Sequence, residues 1–483
     1  MEQMHIMDKE VLMNNCEFWF IVGSQHLYGD ETLREVDSHT KEMVDLLNES
    51  EYIGYKIVYK GIATSENKIT DLMKEVNYRD EVCGVITWMH TFSPAKMWIK
   101  GTKILQKPLL HLATQFNKEI PWATIDMDFM NLNQSAHGDR EYGYINARLK
   151  KNNKVIFGYW KDEKVQKKIG NWMTSAIGYM ASQEVRVARF GDNMRNVAVT
   201  EGDKIEAQIK FGWTVDYYGI GDLVEVLENV SDEEIDSLTI EYENTYDFDY
   251  KEEDKEYFFD SLREQAKIEI ALERFLSENS YNAFTTNFED LHGMKQLPGL
   301  AVQRLLAKGY GFAAEGDWKT AALNRVLKVM ANNEATGFTE DYTYELTEGK
   351  EAVLEAHMLE VDPTLANDKP NIIVKPLSIG GKADPARMIF DSKVGDGIVI
   401  SMADFGNDFK LLINEVEVIK PEEDSPNLPV GRVYWKVKPS LEKGVTKWIE
   451  EGGGHHSVVS LNLCEEQIVD LAKMFDLNYV IIK

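Results

Sequence analysis

The stretch FWFIVGSQHLYGDETLREVDSHTKEMVDLL, residues 18–47, decides the fold class. Its first part, FWFIVG, is apolar, aromatic or β-branched, which is typical of a short buried strand. From Asp30 onwards the apolar residues recur at helical spacing, and they are Leu33, Val36, Met43, Leu46 and Leu47. A buried strand followed by an amphipathic helix is the first half of a β-α-β unit.

The same alternation continues along the first third of the chain. Further strand patterns follow at 55–58, 82–89 and 109–113. Ser65 is placed to cap a helix, and Pro94 after Ser93 suits the first turn of another helix. This rhythm predicts a parallel sheet with helices on both faces.

A second α/β region begins near residue 185. Its strand patterns lie at 185–191, 213–220 and 282–288. Its helical patterns lie at 257–276 and 299–307, and Ser231 with Glu234 matches a capping box. These patterns predict a second domain of the same class.

The sequence pattern changes after about residue 350. Short strand-like runs are joined by polar or glycine-containing connections, and two late helical patterns lie at 441–451 and 465–475. The predicted fold is therefore α/β, with two doubly wound parallel-sheet domains followed by a β-rich, barrel-like C-terminal domain. We place these domains at 1–180, 181–335 and 336–483.

Charge and composition exclude several classes of partner. The chain has 53 Lys and Arg against 81 Asp and Glu, a net charge of −28, which repels nucleic acid and anionic membrane surfaces. The N-terminal MEQMHIMDKE lacks the pattern of a signal peptide, and no apolar run is long enough to span a membrane. Three widely spaced cysteines suit a reduced compartment. We therefore expect a cytoplasmic protein.

The usual phosphate-binding motifs are missing from the sequence. The first strand is followed by SQHLYG rather than GxGxxG, and Gly380–Gly381–Lys382 lacks the glycine spacing of a P-loop. Nicotinamide and nucleotide chemistry are therefore not expected.

Histidines and glutamates in glycine-containing loops are the remaining candidates for chemistry. His455 and His456 follow three glycines, and imidazole is a common metal ligand, although a polar loop is the favoured explanation of the pair. His357 fits a hydrogen-bonded core residue, and Glu315 and Glu340 fit exposed acids. Together two carboxylates and two imidazoles would suit Mn²⁺, Mg²⁺ or Co²⁺, but their spacing does not show that they meet.

A group rich in aromatic rings and amides lies in the first third of the chain. Its members are Gln25, His26, Tyr28, Trp88, Phe92, Trp98, Gln134 and His137. Aromatic faces with a few amides suit the partly apolar, hydroxylated surface of a sugar, whereas ordinary packing is the alternative for the tryptophans.

Long collinear motifs from about residue 16 to residue 460 resemble the L-arabinose isomerases. They include GSQHLYG (23–29), WMHTFSPAKMW (88–98), TQFN (114–117), IDMDFMNLNQSAHG (125–138), RFGDNMR (189–195), AFTTNFEDLHGMKQLPGLAVQRL (283–305), GFAAEGDWKTAAL (311–323), EDYTY (340–344), HMLEVDP (357–363), GGKADPAR (380–387) and GGGHH (452–456). The resemblance implies an aldose–ketose isomerase that converts L-arabinose to L-ribulose, with D-galactose to D-tagatose as a side activity.

The resemblance also implies roles for individual residues. A divalent ion, usually Mn²⁺ and alternatively Co²⁺ or Mg²⁺, would be held by Glu315, Glu340, His357 and one of the histidine pair, with His456 favoured over His455. The two glutamates would also transfer protons. Substrate contacts would come from Gln25, Tyr28, Phe92, Gln134, His137, Met194, Thr285, Phe288 and His455.

The same resemblance implies a homo-oligomer, a hexamer built as a dimer of trimers. In it the N-terminal domain of one chain would cover the metal site of another. Two alternatives remain open at this point: a related isomerase acting on another aldose such as fucose, and a non-catalytic sugar-binding protein.

Overall fold

The computed structural model describes residues 16–377, 380–406 and 408–483. These residues form two compact units, 16–180 and 181–483. Residues 1–15, for which the sequence predicts no signal peptide, lie outside the described part of the chain. None of the described helices is long and apolar enough to cross a membrane.

A five-stranded parallel sheet forms the centre of the first unit. Its strands are β1 (Glu17–Gly23), β2 (Lys56–Ala63), β3 (Val82–Met89), β4 (Leu109–Ala113) and β5 (Asn153–Phe157). They lie in the order β2-β1-β3-β4-β5, so the order of the strands reverses between β1 and β3. With right-handed crossovers, such an order places helices on both faces of the sheet.

The helices of this unit cover a core built from alternating strand and helix residues. They are α1 (Gly29–Asn48), α2 (Glu66–Tyr78), α3 (Ile99–Ile104), α4 (Met127–Leu132), α5 (Ser135–Arg148) and α6 (Glu163–Ser182), the last of which extends to the start of the second unit. Ile69 and Met73 of α2 are buried against Trp19 of β1 and Val85 of β3. The hydroxyl of Ser65 accepts a hydrogen bond from the backbone N–H of Lys68, as the sequence predicts for a helix cap.

Some elements of the first unit differ from the prediction. Pro94 lies at the cap of a short 3₁₀ turn, Ala95–Trp98, rather than at the first helical position, and this turn leads into α3. Strand β5 and helices α4 and α5 were not predicted. β5, with the sequence NKVIF, is an edge strand whose apolar run is only three residues long, and Val155 and Phe157 of that run are exposed.

The second unit begins with another doubly wound sheet. Its strands are β6 (Arg186–Phe190), β7 (Thr214–Tyr218), β8 (Asp247–Phe248), β9 (Ala283–Thr286) and β10 (Gly311–Ala313). All but β8 form a parallel sheet in the order β10-β9-β6-β7, which reverses between β6 and β9. The helices are α7 (Lys204–Phe211), α8 (Ile220–Glu228), α9 (Asp232–Thr245), α10 (Lys255–Glu278), α11 (Gly299–Ala307) and α12 (Trp318–Met330). The predicted capping box of Ser231 and Glu234 is present at the start of α9.

The C-terminal part of this unit is rich in strands. They are β11 (Thr336–Glu345), β12 (Ala352–Ala356), β13 (Asn371–Val374), β14 (Ala386–Ile389), β15 (Gly395–Asp404), β16 (Phe409–Val418), β17 (Arg432–Val437), β18 (His456–Ser460) and β19 (Asn478–Ile482). Two helices complete it, α13 (Leu441–Glu450) and α14 (Glu465–Met474). A separate small sheet has the order β14-β13-β8.

Seven of these strands form a sheet that closes on itself. Their order is β15-β18-β11-β12-β17-β16-β19, and β15 also pairs with β16 along its whole length. Six strands therefore make a ring, with β19 added beside the first half of β16. The predicted barrel-like character of this region is confirmed, and closure removes the open edges that a flat sheet would expose.

The secondary structure of two candidate site residues differs from the prediction. The sequence predicts glycine-containing loops around Glu340 and His456, whereas Glu340 lies within β11 and His456 begins β18. The adjacent charges of Glu340 and Asp341 are typical of a surface loop. Pairing of β11 with β18 on one side and β12 on the other holds this polar stretch in a strand.

Candidate metal centre

Three parallel strands of the second unit end at the same place. β6, β9 and β10 lie side by side, and the strand order reverses between β6 and β9. The segments that follow them carry Met194, Phe288 and Glu315. Thr285 lies inside β9 and is fully buried. The carboxyl end of a doubly wound sheet at such a reversal is where this architecture forms binding crevices.

Glu315 stands on a sharp turn between β10 and α12. Its φ of 62° and the φ of 78° at Gly316 place two consecutive residues in the left-handed region. The backbone N–H of Met194 donates to the carbonyl of Glu315 at 2.9 Å, so the segment after β6 is joined to this turn. A non-glycine residue with positive φ is uncommon and is concentrated at functional sites.

The barrel supplies the other candidate ligands to the same region. Glu340 of β11 lies directly opposite His456 of β18, so both side chains are on one face of the sheet. On its other side Glu340 is paired with Ala356, the last residue of β12, and His357 follows immediately. Antiparallel pairing thereby brings together residues that are more than a hundred positions apart.

Five polar side chains lie close enough to form one connected group: Glu315, Glu340, His357, His455 and His456. His455 Nε2 lies 3.6 Å from Glu315 Oε2 and 3.8 Å from Glu340 Oε1. His456 Nε2 lies 3.8 Å from Glu315 Oε2, and His357 Nε2 lies 3.7 Å from Glu340 Oε2. One ligand atom each from Glu315, His455 and His456 lies within 4.8 Å of the other two.

Buried carboxylates orient two of the three imidazoles. His456 Nδ1 is 3.0 Å from Asp317 Oδ2, and His357 Nδ1 is 2.5 Å from Glu360 Oε2. An ionised carboxylate can only accept a hydrogen bond, so Nδ1 donates in both pairs, and in the neutral imidazole Nε2 carries a lone pair. This carboxylate–imidazole pairing is the common arrangement behind metal-binding histidines. It distinguishes His456 from the more exposed His455.

The charges of the group shift several pKa values. Burial would raise the pKa of Asp317, but Lys319 and His456 lower it below its usual range. Burial likewise opposes the low pKa of Glu315, which His455 and His456 produce.

The carboxylates in turn raise the pKa values of two imidazoles. The carboxylate of Glu315, 3.6 Å away, raises the pKa of His455, against the effect of burial. Burial would lower the pKa of His357, but the carboxylates of Glu360 and Glu340 raise it. The carboxylates in and around the group therefore stabilise a positive charge placed among them.

Two buried atoms of the group are suited to bind a cation. Glu315 Oε2 and His456 Nε2 are buried and have no hydrogen-bond partner among the described residues. Burying such atoms unpaired is costly, and a metal ion bound between them removes that cost. Oxygen and imidazole donors together suit Mn²⁺, Co²⁺ or Mg²⁺ better than a soft thiophilic metal. Glu315, His455 and His456 can each offer one ligand atom to such an ion. Glu340 lies 3.8 Å from His455, and His357 lies 3.7 Å from Glu340.

A narrow cavity adjoins Glu315 and His357. Its other walls include Thr286, Phe288, Leu297, Pro298, Met358 and Leu359. Phe288 thus lies in the cavity wall with Glu315, whereas the fully buried Thr285 is the inner neighbour of the wall residue Thr286. Its volume of about 10 Å³ holds roughly one water molecule, so it is a narrow cleft at the carboxylates rather than a complete sugar pocket.

The other predicted substrate residues form a separate cluster in the first unit. Gln25 Nε2 donates to the carbonyl of Phe92 at 3.1 Å, and the ring of Phe92 stacks on His137 with 4.3 Å between centroids. The hydroxyl of Tyr28 lies 3.4 Å from Gln134 Oε1. Gln25 and Phe92 follow β1 and β3, where the order of this sheet reverses. All five are at least partly exposed.

Comparison with known proteins places the chain in a family. The profile described as the L-arabinose isomerase N-terminal domain matches residues 12–184, and that of the central domain matches residues 186–333. The profile of the C-terminal domain matches residues 335–478. The chain belongs to the L-arabinose isomerase family. The family membership predicted from the sequence motifs is confirmed.

Individual L-arabinose isomerases are similar over nearly their whole length. L-arabinose isomerase 2 of Bacillus licheniformis is 66% identical over 97% of this chain and 98% of its own. The L-arabinose isomerase of Oceanobacillus iheyensis is also 66% identical, with the same coverage. That of Pediococcus pentosaceus is 57% identical over 98% of this chain and 99% of its own. As a member of this enzyme family, the protein is an isomerase.

Sequence reasoning missed the carboxylates behind the ligands of this isomerase. Asp317 follows Glu315 by two residues and caps α12 through the N–H of Thr320. The D-x-x-T pattern reveals the cap but not the contact with His456, which is 139 positions away. Glu360 follows His357 by three residues in a stretch without helical periodicity, so no spacing rule identifies it.

Proposed function

We propose that this protein converts L-arabinose to L-ribulose at the group formed by Glu315, Glu340, His357, His455 and His456, with a bound divalent ion. The observation that carries the proposal is the convergence of two carboxylates and three imidazoles, from the parallel sheet and the barrel of the second unit, beside a narrow cavity. Membership of the L-arabinose isomerase family supports the choice of substrate. No contact in the described structure favours fucose or a purely binding role.

The reaction moves a carbonyl from C1 to C2 of the sugar. A proton must leave C2, and a proton must be added to C1, through an enediol in which C1 and C2 share a double bond. When bound, the divalent ion supplies a Lewis acid that stabilises negative charge on the two sugar oxygens.

Glu315 and Glu340 are the groups that we assign to the proton transfers at carbon. One carboxylate takes the proton from C2 while the electron pair of that bond forms the C1–C2 double bond, and O1 gains a proton. A carboxyl group then returns a proton to C1 as O2 loses its hydrogen. The low pKa of Glu315 keeps it ionised and able to accept a proton at neutral pH.

His455 is suited to hold or move a proton at the sugar oxygens. It lies within 4 Å of both carboxylates and keeps about a third of its side chain exposed. Its raised pKa favours the protonated form near neutral pH, so its Nε2 can donate to O1 or O2. His456 and His357, each held through Nδ1 by a carboxylate, keep Nε2 for the metal ion.

The substrate-contact roles of the remaining residues are part of the same proposal. Met194 and Phe288 would line the site of their own chain, with Thr285 behind them. The cluster of Gln25, Tyr28, Phe92, Gln134 and His137 would serve a neighbouring chain in a hexamer built as a dimer of trimers. The partly exposed stacked pair of Phe92 and His137 supports a role in contacting sugar. Action in the cytoplasm and conversion of D-galactose to D-tagatose stay predictions.

The first test is L-ribulose formation by protein stripped of metal with a chelator. We expect no turnover without metal and recovery with Mn²⁺, with Co²⁺ and Mg²⁺ compared in parallel. D-galactose and L-fucose serve as alternative substrates, and the rate with L-arabinose should exceed both. Folded protein that converts none of these sugars with any of the three ions would refute the proposal.

A second test separates proton transfer from a direct hydride shift between C2 and C1. In deuterated water, the enediol route introduces solvent deuterium at C1 of L-ribulose, whereas a hydride shift retains the hydrogen of C2. Turnover with no deuterium in the product would exclude the enediol route unless the transferred proton is shielded from solvent.

A further inference from the structure

The turn that carries Glu315 is held by residues outside the group of candidate ligands. Glu315 and Gly316 both have positive φ, and the strain of such a non-glycine residue persists only where neighbouring contacts fix it. The N–H of Gly316 donates to the carbonyl of Thr286 at 3.1 Å, and the N–H of Met194 donates to the carbonyl of Glu315. Both contacts use backbone groups, so neither depends on a particular side chain.

Asn193 provides the side-chain contact to this turn. Its Nδ2 donates to the carbonyl of Gly316 at 3.1 Å and to the carbonyl of Thr200 at 2.5 Å. The side chain is buried, with 5% of its surface exposed. A Cβ on Gly316 would lie 2.6 Å from the Cα of Asn193, so the segment after β6 packs directly on the turn.

Arg189 fixes the orientation of the Asn193 amide. Arg189 Nη1 donates to Asn193 Oδ1, and the same guanidinium pairs with Asp192 at 2.9 Å. With the oxygen held by a donor, the NH₂ group must face the two carbonyls. Both of its hydrogens are used, and only an amide of this length supplies them in this place.

We propose that Asn193 is a positioning residue for Glu315: it holds the left-handed turn at Glu315 and Gly316, and so sets the place of the carboxylate that would bind the metal ion. This inference rests on the proposed function only in taking Glu315 as a metal ligand. Asn193 itself needs no contact with the ion or the sugar. Its effect passes through the carbonyl of Gly316 to the backbone of Glu315.

The substitution Asn193→Asp tests this inference with almost no change of shape. The carboxylate keeps its contact with Arg189 but loses both donors and places negative charge against the carbonyls of Gly316 and Thr200. We expect Mn²⁺ affinity of the chelator-stripped protein, measured by titration calorimetry, to fall at least about tenfold, as for other residues that orient metal ligands.

Asn282→Asp is the matched control. Asn282 Nδ2 also donates to a backbone carbonyl, that of Glu184, but it precedes β9 and so lies at the opposite end of the sheet. We expect its Mn²⁺ affinity to stay within about twofold of the starting protein. Unfolding temperatures of the metal-free proteins, read by circular dichroism, report general loss of structure separately.

Asn193→Ala carries the test if Asn193→Asp is not recovered folded, because alanine removes the donors without adding charge. A folded variant of either kind that binds Mn²⁺ as tightly as the starting protein would overturn the inference. If Asn193→Asp weakens Mn²⁺ binding no more than Asn282→Asp does, the inference is also overturned. If the starting protein binds Mn²⁺ but does not isomerise L-arabinose, the proposed function fails while the positioning role is still decided by affinity.

Discussion

Nδ1 of His456 lies 3.0 Å from Oδ2 of Asp317, and both side chains are almost completely buried. Lys319 Nζ lies 3.2 Å from the other oxygen of the same carboxylate. This short chain of charges keeps Asp317 ionised in the interior and fixes which imidazole nitrogen carries the proton. The direction of the His456 lone pair is therefore set by residues of α12 and the turn before it.

Replacing Asp317 with asparagine should weaken metal binding. The amide can still cap α12, but it no longer compensates Lys319 or holds the Nδ1 proton of His456 as strongly. We expect Mn²⁺ affinity to fall by about 10–100-fold. Asp203→Asn is the control, since Asp203 caps α7 in the same way without contacting a candidate ligand. Equal affinity in the two variants would contradict the role assigned to Asp317.

Neutralising either candidate catalytic glutamate should abolish most turnover. In Glu315→Gln and Glu340→Gln the side chain keeps its size but can no longer accept a proton from carbon. We expect kcat for L-ribulose formation to fall by at least about 10²–10⁴-fold. The exposed Glu348, after β11, provides the control Glu348→Gln, which should keep normal turnover. A glutamine variant that retains near-normal kcat would remove that residue from the proton transfer.

The two adjacent histidines should respond differently to substitution. His456 is buried and backed by Asp317, whereas His455 is about a third exposed and lies between two carboxylates. We expect His456→Asn to lose metal affinity by more than about 100-fold, beyond the effect of an outer-shell partner. His455→Asn should bind Mn²⁺ nearly normally but turn over slowly. Calorimetry together with steady-state kinetics at saturating Mn²⁺ distinguishes the two, and the reverse ranking would assign the ligand to His455.

The first unit should lose stability as the pH falls below about 6.5. Burial lowers the pKa of His90 to about 3, compared with about 6.5 in an unfolded chain. Between these values the unfolded state binds a proton that the folded state does not, so stability is complete above pH 6.5 and decreases on acidification. One such group removes about 2 kcal/mol between pH 6.5 and pH 5.

Hydrogen exchange of β3 and β4 amides, corrected for intrinsic rates, measures this loss as a decrease in opening free energy. His90→Gln removes the titrating group and should flatten the pH dependence by that amount. His26→Gln, at an exposed position of the same unit, should leave the dependence unchanged. If the opening free energy depends on pH equally in His90→Gln and His26→Gln, His90 is not the source of the pH dependence.

Local sequence patterns were sufficient to predict most of the helices and strands. The apolar run at 82–89 and the cap at Ser65 predicted β3 and the start of α2, because both signals act over a few residues. The same rules failed at Glu340, where two adjacent acids are typical of a loop. Pairing with strands on both sides determines that segment, and strand partners distant in sequence leave no local signal.

The sequence by itself determined the two doubly wound sheets, the strand-rich C-terminal region and the residue types that a metal-dependent isomerase needs. Only the tertiary structure decided how those residues combine: the barrel register places Glu340 opposite His456, and the turn after β10 brings Glu315 beside both histidines. It also places Asp317 and Glu360 against the histidines and Asn193 against the turn at Gly316. The physical reason is distance along the chain, because hydrophobic periodicity reports the burial of each segment, whereas hydrogen bonds between remote side chains depend on how the segments pack.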